Sequence, residues 1–114
     1  MSTKKYKNAD INFKVTLEEN NLPVGIQWMS SDGKNKEYKK CNAIAVSIWD
    51  PEDKNSYSID LWTKEMTVPE MQVFFFQNLI SIAETLENAT GNKFIVDEMK
   101  SFCSQLDKKI QKEK

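Results

Sequence analysis

Residues Ala43–Lys64 read AIAVSIWDPEDKNSYSIDLWTK. Two alternating runs, Ala43–Trp49 and Ser56–Trp62, flank a polar centre, Asp50–Asn55. Alternation with a period of two is the pattern of a strand, and the Asp-Pro pair that opens the centre is turn chemistry. If Trp49 pairs with Ser56, Ile48 meets Tyr57, Val46 meets Ile59 and Ile44 meets Leu61. Those six residues are expected to face the core. The other face carries Ala43, Ala45, Ser47 and Trp49 on one strand and Ser58, Asp60 and Trp62 on its neighbour. A solvent-facing strand normally shows long polar side chains; here small residues stand beside two indoles.

Upstream, Asp10–Glu18 alternates in the same way, with Ile11, Phe13, Val15 and Leu17 on one side. Glu19-Asn20-Asn21-Leu22-Pro23 is a turn sequence, because asparagine tolerates unusual dihedrals and proline sets its own φ. Alternation resumes at Val24, Ile26 and Trp28. The register that keeps all apolar residues on one face pairs Leu17 with Val24, Val15 with Ile26 and Phe13 with Trp28. Met29–Lys40 is expected to be a polar connector with Asp32-Gly33 as its turn signal.

Downstream, the periodicity changes to that of helices. Thr67 with Glu70 forms a capping-box pattern, and Pro69 suits a first helical turn. Val68, Met71, Phe75, Leu79, Ile82, Leu86 and Ala89 then recur at helical spacing, with Phe76, Ile80 and Ala83 widening the stripe. Phe74, Phe75 and Phe76 sweep about 200° of a helix at about 100° per residue. One core face cannot hide all three. Gly91 is a natural helix stop and Asn92 a cap for a second helix, whose stripe is Ile95, Met99, Phe102, Leu106 and Ile110, with Val96 and Cys103 alongside. Strands followed by helices imply an α+β fold. The expectation is a four-stranded antiparallel sheet, made of two hairpins, with two C-terminal helices packed on one face. Residues 1–9 are expected to be a flexible tail and residues 10–112 a single α+β domain.

Composition narrows the chemistry. The 114 residues contain no histidine, and all 16 basic residues are lysine. No side chain therefore has an ordinary pKa near 7, and no Ser–His or Cys–His couple can form. Without arginine, the planar fork that grips phosphate or guanine is missing. A net charge of −1 argues against nucleic acid as a partner. Cys41 and Cys103 are expected to be reduced thiols. Asp50, Glu52, Asp53 and Asp60 are the clustered carboxylates, but they lack the alternating spacing of a calcium loop. No catalytic residue, metal site or cofactor is expected. The N-terminus lacks a secretory h-region and no run is long enough to span a bilayer, so the cytoplasm is the expected location, without membrane insertion.

The ordered set Trp49-Asp50-Pro51, Ile59–Met66, the alternation Ile11–Leu17 with Glu19–Pro23 and Ile26-x-Trp28, Asn88–Gly91 and Phe102-Cys103-x-x-Leu106 resembles the gliding motility-associated GldC family of Bacteroidota. The likeness covers nearly the whole chain apart from its lysine-rich ends, and no firm correspondence is visible in residues 29–40. It implies a small cytoplasmic protein linked to gliding, a process coupled in that phylum to type IX secretion, with no enzymatic activity to carry over. The order of elements is also similar to that of the export chaperone SecB.

Function is then expected to lie in protein–protein contact. Ala43, Ala45, Ser47, Trp49, Asp60 and Trp62 are the candidate interaction face, and Phe74, Phe75 and Phe76 a secondary one. Partners in the gliding or secretion machinery are expected, with a homodimer through the tryptophan face as the first form to test. The alternative is a chaperone holding extended or unfolded clients, as SecB does.

Overall fold

A computed structural model describes residues 5–32 and 37–112. The chain divides into two compact units, Met1–Met66 with the strands and Thr67–Lys114 with the helices. The Asp32-Gly33 turn signal passes out of the described residues at Gly33.

In the strand unit, β1 (Ile11–Leu17) pairs antiparallel with β2 (Pro23–Ser30). Phe13 lies opposite Trp28 and Val15 opposite Ile26, as the hydrophobic pattern requires. The expected pairing of Leu17 with Val24 does not occur. Leu17 lies opposite Pro23, and the register shifts between Thr16 and Leu17. The turn supplies the reason. Asn21 sits at φ 64°, and Asn21 N–H donates to the Glu18 carbonyl (2.9 Å) while Glu18 N–H donates to the Leu22 carbonyl (2.9 Å). This closure draws Pro23 up to Leu17, and the residue left over is absorbed as a bulge.

The single four-stranded sheet expected from the sequence is not what forms. The strands make one three-stranded sheet, β1-β2-β3, and one two-stranded sheet, β4-β5. The difference arises in the 29–40 segment, which is not wholly a connector. Its start extends β2 to Ser30, and its end opens β3 (Lys39–Cys41), whose Cys41 lies opposite Ile26. One residue later, β4 (Ala43–Asp50) leaves β2 and pairs with β5 (Asn55–Trp62). Asn42 is the hinge, and its carbonyl accepts from Thr63 N–H (2.9 Å). The ion pairs Lys40–Glu65 (3.4 Å) and Lys64–Glu18 hold the segment after β5 to both ladders. Both are exposed and each is worth at most about 1 kcal/mol. Lys64 therefore pairs with Glu18, at the turn that follows β1.

The β4–β5 register is the expected one throughout: Trp49 opposite Ser56, Ile48 opposite Tyr57, Val46 opposite Ile59, Ile44 opposite Leu61. Its burial is not. Ile44 is buried and Val46 and Leu61 are half-buried, whereas Ile48, Tyr57 and Ile59 are exposed. Among the described residues no strand other than β5 pairs with β4, so most of the ribbon has unpaired strand edges on both sides.

In the helical unit, α1 (Val68–Thr90) begins with the full capping box. Glu70 N–H donates to Thr67 Oγ1 (3.2 Å), and Thr67 N–H donates to Glu70 Oε1 (3.1 Å). Together these satisfy two of the orphan donors at a helix start. Gly91 ends α1 at φ 68°, a conformation costly for other residues, and donates to the Glu87 carbonyl (2.8 Å). Asn92 Oδ1 then accepts from Ile95 N–H (3.3 Å) as α2 (Lys93–Lys112) starts. Ala83, Val96 and Cys103 are the buried residues of the pair. The line along which the helices meet is thus made of small side chains from the edges of the expected stripes. The stripes' own large members, Phe75, Ile82, Ile95 and Phe102, are exposed.

Candidate protein-interaction face

The outer face of β4–β5 is built by pairing alone. With Trp49 opposite Ser56 and Trp62 opposite Ala43, both indoles project from the same side, at opposite ends of the ribbon. Six residues separate those ends, about 20 Å at 3.3 Å per residue. Between them lie Ala45, Ser47, Ser58 and Asp60, with Ala45 opposite Asp60 and Ser47 opposite Ser58. Small side chains leave a shallow floor, and the indoles form a wall at each end. Trp49 is 63% and Trp62 54% exposed. Ala45, Ser47 and Asp60 are exposed as well, and Ala43 is half-buried.

The ribbon's tip is ordered by its own carboxylates. Asp50 Oδ1 accepts from Glu52 N–H (2.8 Å) and Asp53 N–H (3.2 Å), and Lys54 takes the left-handed turn position at φ 51°. Tyr57 donates its hydroxyl to Asp53 Oδ2 (2.5 Å). That bond to a carboxylate holds the Tyr57 phenol above its ordinary range, with a smaller push from desolvation. Asp50 and Asp53 are thus occupied in building the turn. Among the described residues, no group of three or more His, Cys, Asp or Glu side chains is placed to hold a metal ion. Cys41, beside the hinge, has its thiol pushed up by burial, partly offset by a bond from the Ala43 backbone. Neither cysteine is in a disulfide.

The three phenylalanines separate as their 100° spacing requires. Phe74 and Phe76 are half-buried and Phe75 is exposed. Phe74 and Phe75 meet edge to face, with centroids 5.4 Å apart and planes at 68°. The structure adds an apolar surface that the sequence reading assigned to the core. An open groove of about 290 Å³ runs between the helices, lined by Leu79, Ile95, Glu98, Met99, Phe102 and Cys103. The available signal was the width of both stripes, since a helix pair needs one narrow line of contact and each stripe supplies more. Among the described residues, no helix is long and apolar enough to cross a membrane.

No curated protein and no solved structure gives a significant match to the chain. The model of one family, described as gliding motility-associated protein GldC-like, matches residues 23–112. That range takes in β2 to β5 and both helices, including the 29–40 segment, and leaves β1 and its turn outside. A match over this much of the chain decides the family: the protein belongs to the gliding motility-associated GldC-like family.

Proposed function

We propose that this chain is a non-enzymatic cytoplasmic accessory protein of gliding motility, linked to type IX secretion, and that it works as a protein–protein adaptor or assembly factor. One observation carries the reading: two exposed tryptophans wall in a floor of alanine and serine on the outer face of β4–β5. Tryptophan dominates binding hot spots because one side chain desolvates a large area at small entropic cost. The floor is shallow enough for another backbone to approach closely. Its length of about 20 Å matches about six residues of extended chain. A motility or secretion component presenting such a segment is the proposed partner, with Asp60 positioned for a backbone N–H or a lysine.

The test is affinity capture from the native cell with the full chain, Trp49→Ala and Trp62→Ala. Both indoles are exposed, so the variants keep the wild-type circular dichroism spectrum. Recovery of a gliding or secretion component should fall at least tenfold in either variant. Equal recovery in all three removes the face from the function.

A second reading, a SecB-like chaperone for extended clients, rests on the exposure of Phe75 and the neighbouring apolar groove. Under that reading the chain suppresses aggregation of an unrelated unfolded protein, and Phe75→Ser weakens the effect. Under the adaptor reading it does neither.

A further inference from the structure

The two sides of the helical hairpin differ. On one side Phe76 and Ile80 of α1 stand beside Lys100, Ser104 and Asp107 of α2, so charged and polar side chains border the apolar ones there. On the other side Leu79 of α1 shares a groove with Ile95, Met99 and Phe102 of α2, and Phe75 and Ile82 lie on the same flank of α1 as Leu79. At about 100° per residue these six lie about 40–120° from the buried line of Ala83, Val96 and Cys103, all toward the same side of the hairpin. Phe102 is 54% and Ile82 55% exposed. Two helices alone cannot bury a second stripe each, and an apolar face of this kind marks an interaction surface.

We propose that a second copy of the chain covers this face. The two helical hairpins pack as a four-helix bundle, related by a two-fold axis that passes between Leu79 of the two copies and near Cys103 of the two copies.

Area and charge both favour a second copy. The helices are 23 and 20 residues long, about 30 Å of shared length at 1.5 Å per residue. Two helices side by side are about 20 Å wide, so each copy covers roughly 600 Å². The total of about 1,200 Å² reaches the range of specific interfaces. The charges are self-complementary. Glu98, Phe102, Gln105 and Lys109 follow one another along the outer flank of α2, and neither charged group forms an ion pair with another described residue. The point midway between Glu98 and Lys109 falls at residues 103–104, beside the midpoint of α2. The midpoint of α1 is Leu79, which lines the same groove as Cys103. One axis therefore centres both helices at once. It lays α2 antiparallel to α2 of the second copy, with Glu98 of each copy opposite Lys109 of the other. On the α1 flank the corresponding residues are the uncharged Asn78 and Thr85, so no repulsion opposes this arrangement. An isologous contact of this kind closes as a dimer.

The experiment is sedimentation equilibrium on the full chain at micromolar concentration. The wild type is expected at twice its 13.2 kDa. Glu98→Lys and Lys109→Glu each replace two attractions with two repulsions and should weaken dimerisation about tenfold. The double exchange Glu98→Lys/Lys109→Glu should restore it, which loss of folding in either single variant could not do. Phe102→Asp should give a monomer with its helical content intact. Trp49→Ala and Trp62→Ala should leave the dimer unchanged, which separates this interface from the β4–β5 face. A monomeric wild type overturns the proposal. So does a dimer indifferent to Glu98→Lys, a double exchange no better than its parts, or a dimer dissociated by the tryptophan variants.

Discussion

Ile26 in β2 and Ile59 in β5 occupy equivalent places. Each is the central inward residue of an antiparallel hairpin, and each lies opposite a valine, Val15 or Val46. Ile26 is 0% exposed and Ile59 48%. Alternation cannot tell them apart, because it reports which side of a strand is apolar and not whether anything lies on that side. The difference comes from the neighbouring strand. β2 has β1 on one edge and Cys41 of β3 on the other, whereas among the described residues β5 pairs with β4 alone. A two-stranded ribbon is marginal in water by itself. The hairpin with the fewer strand partners is also the one that carries the indoles, which is why the adaptor reading places the partner there.

The largest effect should come from the two isoleucines themselves. Ile26→Ala should cost about 2–5 kcal/mol of unfolding free energy, as cavities in closed sites do. Ile59→Ala should cost about 1 kcal/mol, since only part of its side chain leaves water on folding. Urea denaturation of both variants measures the contrast, and equal losses would show that β4–β5 is covered as fully as β1–β2 in solution.

The turns give a smaller contrast. Asp50→Ala removes the acceptor of two backbone N–H groups at the tip of β4–β5 and should cost about 1 kcal/mol. In the other hairpin, Asn21→Gly should be close to neutral or slightly stabilising, because glycine adopts the φ of 64° without strain. Thermal melts that reverse this order would mean that the β1–β2 turn depends on the Asn21 side chain.

The smallest effect is pH-dependent. The neutral Tyr57 hydroxyl donates to Asp53, which raises the phenol's folded pKa above its ordinary value of 10. The contribution is therefore complete below pH 10 and is lost as pH rises through the folded value. Tyr57→Phe should match the wild type in strong alkali and fall slightly below it at neutral pH. A difference that persists at all pH values would assign the effect to packing.

The local rules were legible because they act within a few residues. Thr67, Pro69 and Glu70 placed the start of α1, Gly91 its end and Asn92 the start of α2, each through a hydrogen bond or dihedral that the residue itself provides. The registers of β4–β5 and of most of β1–β2 followed from alternation. The candidate face was legible to the same extent, since pairing alone puts Trp49 and Trp62 on one side. Its exposure was not, because that depends on what stands across from it.

What the sequence alone determined, then, was the order of the elements, their caps and the composition of each face, all set by chemistry between near neighbours. The tertiary structure decided that a short strand, Lys39–Cys41, pairs with β2 before the chain changes partners at Asn42, splitting one sheet into two. It decided that Lys64 meets Glu18, which lies far away in the chain. It also decided that the helices meet along Ala83, Val96 and Cys103, where small side chains allow close approach, leaving the larger stripes free for another surface. Each of these outcomes depends on which segments reach each other in space, and a one-dimensional pattern carries no term for that.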